Sequence, residues 1–244
     1  LIGTFIPDGG TVKVQGEDLA MLDDEGMSKV RRQFGILFQS GALFNSMSIA
    51  DNVALSLREH TDLEPEIIEF IVKIKLEQVG LREAADKFPA EISGGMKKRA
   101  GLARALALDP KLLFYDEPSA GLDPVTSASI DQLILDLAKK AGVTSVVVTH
   151  EMDSAFVIAD RMAMLDKGKM LMVDNREVFE ELRDWPQDRL MELDQRQQLI
   201  RQFLRGDAEG PLTHRKEDSS YAEDLLGLTA PRLTRGPSIH STKE

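Results

Sequence analysis

Two adjacent carboxylates and a glycine pair stand closest to chemistry in this sequence. Asp116 and Glu117 follow the apolar run Leu112-Leu113-Phe114-Tyr115 and precede Pro118. Four apolar residues, two of them aromatic, held between Pro110 and Pro118 read as a short buried strand. Asp116 then sits at its C-terminal edge, where open α/β sheets bind ligands. A carboxylate there suits Mg²⁺ held beside phosphates, and the neighbouring one can orient or deprotonate water. A solvated acidic strand end would carry the same residues. Upstream, Ile92-Ser93-Gly94-Gly95-Met96 opens a helix-compatible stretch from Lys97 to Leu108. Ser93 can cap that helix, and Gly94-Gly95 lets backbone approach a ligand where a side chain would clash. The free N–H groups and positive partial charge of a helix start form an anion site. Taken alone, the pentapeptide is more simply an ordinary helix start.

In this order and spacing the segments resemble the ATP-binding-cassette (ABC) ATPases. Ile92–Met96 is similar to the family's signature motif, usually Leu-Ser-Gly-Gly-Gln, with Ile92 for Leu and Met96 for Gln. Leu112–Glu117 resembles the Walker B strand with its catalytic glutamate, and Ser119–Asp123 resembles the D-loop. Gln39 is similar to the Q-loop glutamine and His150 to the switch histidine. The resemblance spans residues 1–182. It implies an α/β fold, a P-loop NTPase (RecA-like) sheet with an inserted ABC helical subdomain, and ATP hydrolysis with ATP and Mg²⁺. By the same resemblance Glu117 is the general base, with His150 and Gln39 positioning, and Asp116 and Gln39 serve Mg²⁺. Ser93, Gly94, Gly95 and Asp123 bind nucleotide across a head-to-tail homodimer, and the second partner is an integral-membrane permease.

The substrate enters by resemblance too. Phe38–Phe44, and Arg201–Gly206 followed by Gly210-Pro211, are similar to the ATPases of Mla- and Mce-type lipid transporters. This implies phospholipid transport from the cytoplasmic face of a bacterial inner membrane, with a small regulatory subunit and an Mce-domain protein as further partners. The phosphate loop, Gly-x-x-x-x-Gly-Lys-Ser/Thr, does not occur in the 244 residues. Leu1–Gly10 resembles the end of the helix that follows that loop, so the expected reading is a loop lying upstream of residue 1. The chain by itself is then expected to bind ATP poorly and hydrolyse it negligibly. A degenerate ATPase, a non-catalytic regulatory or assembly module, an ABC ATPase without a transporter, and an importer ATPase for another substrate stay open.

The whole chain narrows these classes. A net charge of −11 and a pI near 5.0 argue against nonspecific nucleic-acid binding. The absence of cysteine removes disulfides, thiolate metal sites and a Cys nucleophile. No apolar run approaches the roughly 20 residues that a membrane-spanning helix needs.

Several elements must position the candidate residues. Thr11–Val14 reads as a strand with Gly16-Glu17-Asp18 as a turn, and Ser28–Arg32 as a short helix. Phe34–Phe38 is a strand that delivers Gln39. Ser48 starts a helix, and Glu66–Val79 carries another. Asp123-Pro124 caps a helix to Ala141 that Gly142 stops. Val143–Thr149 reads as a buried parallel strand with His150 at its end, and Glu151–Ala159 as a helix. Arg161–Val173 reads as a hairpin around Asp166–Lys169. Asp188–Arg205 is one amphipathic stretch ended by Gly206, facing a partner, the second ATPase or its own core. The expected organisation is a partial ATPase core (1–47 and 110–182) and a helical subdomain (48–109). A helical extension (183–206) and a flexible tail (207–244) follow, the tail with a short binding helix at Tyr221–Leu228.

Overall fold

The structure, a computed structural model, describes Gly3, Phe5 and residues 7–214; the Tyr221–Leu228 segment and most of the expected tail lie outside the described residues. The chain divides into two compact units, Leu1–Ala159 and Asp160–Glu244.

The first unit opens with a small antiparallel pair, β1 (Lys13–Val14) and β2 (Glu17–Asp18). Glu17-Asp18, expected within a turn, is instead the returning strand. Gln15 and Gly16, with φ of 53° and 90°, already supply the two left-handed residues that a tight hairpin requires. Helix α1 (Asp24–Arg31) starts earlier than the expected Ser28, because the Asp23 carboxylate accepts from the Gly26 amide at 2.8 Å and caps it. Strand β3 (Phe34–Leu37) follows, then α2 (Ile49–His60), capped by Ser48, and α3 (Pro65–Gln78). Helix α4 (Gly94–Ala105) starts at the glycines behind the expected Ser93 cap and stops short of the expected Leu108. Next come β4 (Leu112–Asp116) and α5 (Pro124–Ala141), which ends at Gly142 with φ 63°. Strand β5 (Thr144–Val148) and helix α6 (Met152–Ile158) complete the unit.

Strands β3, β4 and β5 form a parallel sheet in that order. Helices on the crossovers make this an α/β unit. One core runs through it: Leu37, Leu113 and Tyr115 from the sheet meet Ile49, Val53 and Leu57 of α2, Leu76 of α3, Leu102 of α4, and Ile130 and Ile134 of α5. Full burial of side chains such as Ile130 and Ile134 stabilises by about 1.5–3 kcal/mol each. Strand β5 is parallel as expected but not buried. Its residues are half-exposed or exposed, with Val148 62% accessible, because β4 is its only strand neighbour among the described residues. Between β3 and α2, buried Asn52 pins the loop. Its amide donates to the carbonyls of Phe44, Met47 and Ser48, and its oxygen accepts from the Phe44 N–H at 2.8 Å.

The second unit starts with the antiparallel hairpin β6 (Arg161–Asp166) and β7 (Lys169–Asn175). Helices α7 (Arg176–Asp184), α8 (Gln195–Arg205) and α9 (Pro211–His214) follow. The boundary expected between 182 and 183 therefore falls inside α7. The stretch Asp188–Arg205 is not one helix. A 3₁₀ segment, Gln187–Glu192, is separated from α8 by Leu193 and Asp194. Asp194 forms a capping box with Gln197, which makes it a helix start rather than an interior residue. Gly206, at φ 68°, ends α8 as expected. Leu199, Ile200 and Leu204 of α8 and Phe179 and Leu182 of α7 are buried.

Candidate functional site

The parallel register brings four candidate residues to one edge of the sheet. Leu37 pairs with Tyr115, and Asp116 with Val148, so Asp116 closes its strand while Gln39, Glu117 and His150 lie just beyond the carboxyl ends of neighbouring strands. Side chains join at one point. The His150 ring Nδ1 lies 2.7 Å from Oε1 of Glu117, and the Thr149 hydroxyl donates to the other Glu117 oxygen at 3.2 Å. Hydrogen bonding to Glu117, then its charge, raises the pKa of His150 above the ordinary 6.5. Gln39 and Asp116 are exposed, and no hydrogen bond joins either to Glu117 or His150 among the described residues.

The backbone at Glu117 is unusual. Its φ is +47°, a left-handed conformation rare for a residue with a side chain and costing about 1–3 kcal/mol. Both flanking peptide groups are fixed. The Glu117 N–H donates to the Val148 carbonyl at 2.9 Å, extending the β4–β5 ladder by one bond, and the Glu117 carbonyl accepts from the Lys98 ammonium at 2.6 Å.

Lys98 belongs to α4, one turn after the glycines, and only 5% of it is exposed. Burial lowers its pKa, while the nearby charges of Glu117, Asp116 and Glu151 oppose that shift. Sequence reading passed over it, because a lysine in a Lys-Lys-Arg run reads as solvated and nothing in the run says which member turns inward.

The same helix is bound to the loop that carries Gln39. Arg104 donates to the carbonyls of Gly41 and Ala42 at 3.1 and 2.7 Å, and a Cβ on Gly101 would lie 2.9 Å from the Gly41 carbonyl oxygen. Arg99 donates to the Val79 carbonyl and to the Ser129 hydroxyl of α5.

Ser93, Gly94, Gly95 and Asp123 form a second group, where the N-termini of α4 and α5 meet. The Ser93 hydroxyl accepts from the Met96 N–H at 3.3 Å. The amides of Gly94 and Gly95 have no acceptor within the helix. A Cβ on Gly95 would sit 2.5 Å from the Thr126 methyl, and one on Gly94 3.6 Å from Leu122. Asp123 spends one oxygen on the N–H groups of Val125 and Thr126, at 3.1 and 3.0 Å, and the other on the Thr126 hydroxyl at 2.5 Å. Those bonds, the Thr126 hydroxyl first, hold its pKa below the usual carboxylate value. Among the described residues no hydrogen bond or ion pair joins this group to Glu117 or His150.

A buried polar chain lies behind both groups. Ser119, two residues past Glu117, contacts the Ser154 hydroxyl of α6 at 3.4 Å, and Ser154 donates to Asp131 of α5 at 2.8 Å. Burial raises the pKa of Asp131, whose second carboxylate oxygen has no hydrogen-bond partner. A sequence reading sees Asp131 as a helix-surface residue, since its place on the inner face emerges only when α6 packs over it.

A strand-end carboxylate pair, a strand-end histidine and a Ser-Gly-Gly helix start now lie in one α/β unit, and comparison with known proteins decides its kinship. Residues 1–120 match the family model described as ABC transporter. Over 224 residues the chain is 41% identical to the intermembrane phospholipid transport system ATP-binding protein MlaF of Escherichia coli K12, covering 92% of this chain and 78% of that protein. The chain belongs to the ABC transporter ATP-binding protein family. It is also 41% identical over 238 residues to the probable ribonucleotide transport ATP-binding protein mkl of Mycobacterium leprae, covering 97% of this chain and 65% of that protein. It thus spans less than two thirds of the mycobacterial relative's length. The solved dimeric structure of a post-hydrolysis state of the ATP-binding cassette MJ0796 bound to ADP and Pi matches with a TM-score of 0.65 at 29% identity, covering 72% of this chain and 77% of that one. The expected P-loop NTPase fold class holds.

Proposed function

We propose that the intact protein is the ATP-hydrolysing subunit of a membrane transporter that moves phospholipid, and that it works as a head-to-tail pair. The observation that carries this reading is Glu117, held in a left-handed conformation at the sheet's carboxyl edge with its carboxylate engaged by His150. That no hydrogen bond joins Ser93–Gly95 to that carboxylate among the described residues supports a site completed by a second copy. The likeness to an ATP-binding cassette solved as a dimer supports it as well.

In this reading Glu117 takes the proton from the water that attacks the γ-phosphate of ATP. His150 orients the carboxylate through Nδ1 and, as an imidazolium, offers its second N–H to a phosphate oxygen. Asp116, whose carboxylate accepts no hydrogen bond among the described residues, and Gln39 would hold Mg²⁺. Bound there, that ion would neutralise charge on the phosphates. One carboxylate suits such an ion, which takes its remaining ligands from phosphate and water. The free amides of Gly94 and Gly95 fit an anion presented by the other copy's site. Asp123, capping α5 beside them, sets the shape of that surface.

Phospholipid is taken from the name of the Escherichia coli relative, and the resemblance of Phe38–Phe44 and Arg201–Gly206 to lipid-transporter ATPases supports it. The mycobacterial relative's name gives ribonucleotides as a second reading. Among the described residues no helix is long and apolar enough to cross a membrane. In this reading the chain attaches to an integral-membrane permease on the cytoplasmic face. A regulatory subunit and an Mce-domain protein are the further partners in this reading.

The test is Glu117→Gln in the intact protein within its transporter. ATP turnover should fall by about 10²–10⁴-fold while ATP-driven pairing persists in light scattering; near-normal turnover would remove Glu117 from the chemistry. Purifying the complex and identifying its bound cargo separates phospholipid from ribonucleotide.

A further inference from the structure

We propose that Lys98 is a positioning residue that ties the Ser93–Gly95 helix to the backbone of Glu117, coupling the nucleotide held by one end of a subunit to the base that the same subunit gives to the other site. The proposal rests on the paired-site reading above. In that reading each subunit supplies Glu117 to one site and the start of α4 to the other, so a single chain must relate the two.

Lys98 provides a direct route. It lies four residues after Gly94, hence about one helical turn and 6 Å along the axis from the anion-facing amides. Its ammonium, almost wholly buried, donates to the Glu117 carbonyl at 2.6 Å, its only hydrogen-bond acceptor among the described residues. Burying an ammonium is costly unless charge and hydrogen bonds compensate. Asp116, Glu117 and Glu151 supply the charge.

The rest of α4 cannot yield independently. Arg99 fastens it to Val79 and to Ser129 of α5, Arg104 to Gly41 and Ala42, and Gly101 presses on the Gly41 carbonyl. A displacement of its N-terminus by a docking phosphate is therefore passed to the peptide group after Glu117. That group is one of the two flanking a residue held at φ +47°, whose side-chain direction depends on it. The lysine does not touch the reacting atoms; it acts through Glu117.

The experiment uses the intact protein in its transporter, with ATPase rate measured against ATP concentration for wild type, Lys98→Met and Lys98→Arg, and Glu117→Gln as a control. Met fills similar volume and donates no hydrogen bond; Arg can donate to the same carbonyl. Lys98→Met should lower kcat roughly tenfold with KM and ATP-driven pairing little changed, and bring the Hill coefficient towards one, while Lys98→Arg restores part of both. Normal kcat and cooperativity in Lys98→Met, alongside a dead Glu117→Gln, would overturn the role of Lys98 and leave the base in place. An active Glu117→Gln would instead remove the reading beneath it. A loss in KM alone, or equal loss in Met and Arg, would make Lys98 a structural residue and also overturn the proposal. Should Lys98→Met fail to fold by thermal melting, Lys98→Leu, which likewise donates no hydrogen bond, is measured in its place and judged by the same kcat and Hill criteria.

Discussion

The imidazole of His150 and the carboxylate of Glu117 meet at 2.7 Å across two neighbouring parallel strands, each residue lying just past its own strand's carboxyl end. The contact favours the charged imidazole, so the folded-state pKa of His150 stands above 6.5. Its contribution to stability is complete below the unfolded value and is lost as pH rises through the folded value. In Mg²⁺-free and nucleotide-free protein, the His150 ring resonances should titrate with a midpoint above 6.5. Glu117→Gln should move that midpoint down towards the unperturbed value. An identical midpoint in both proteins would mean that the pair is not formed in solution.

The strand-end positions of Gln39, Glu117 and His150 were legible in sequence because each follows a short apolar run, and parallel pairing forces all such ends to one edge. The caps were legible for a related reason: Ser48, Ser93 and Asp123 act through backbone amides two or three residues away, so the whole interaction lies within a few letters. Contacts closed over long separations were not. Lys98 reaches Glu117 across 19 residues, Arg104 reaches Ala42 across 62, and Asp131 meets Ser154 across 23. Local pattern assigns all three to solvent, and packing decides otherwise. Strand β5 erred the other way, since Val-Thr-Ser-Val-Val-Val reads as buried on both faces whether or not neighbours cover it.

The Asp131–Ser154 bond makes a stability prediction with a defined pH direction. Asp131 is nearly buried and keeps one oxygen unpartnered, and its raised pKa means that the folded state holds this proton more tightly than the unfolded chain. Stability from this group is therefore greatest below the unfolded value of 3.8 and declines as pH rises through the higher folded value. Ser154→Ala removes the one hydrogen bond that favours the carboxylate. Chemical denaturation at pH 7 should show a loss of about 1–3 kcal/mol. The loss should shrink as the pH is lowered and the carboxyl becomes neutral. A pH-independent difference would show that Ser154 contributes packing alone.

The contact between Gly95 and Thr126 can be tested by relief of a clash. A methyl at Gly95 would lie 2.5 Å from the Thr126 Cγ2, and Thr126 cannot turn away freely because its hydroxyl is engaged by Asp123. Gly95→Ala should therefore push the N-termini of α4 and α5 apart and cost about 1–3 kcal/mol in thermal or chemical denaturation. Thr126→Ser deletes the methyl and keeps the hydroxyl, so the double variant Gly95→Ala with Thr126→Ser should recover most of that loss. The two sites are in contact, and a coupling of about 0.5–3 kcal/mol is the expected signature. ATP-driven pairing of the intact protein should follow the same pattern, weakened in Gly95→Ala and restored in the double variant, because in the proposed pairing the two helix starts together form the surface offered to the other copy. Additive losses in the double variant would show that the two helix starts do not meet as described.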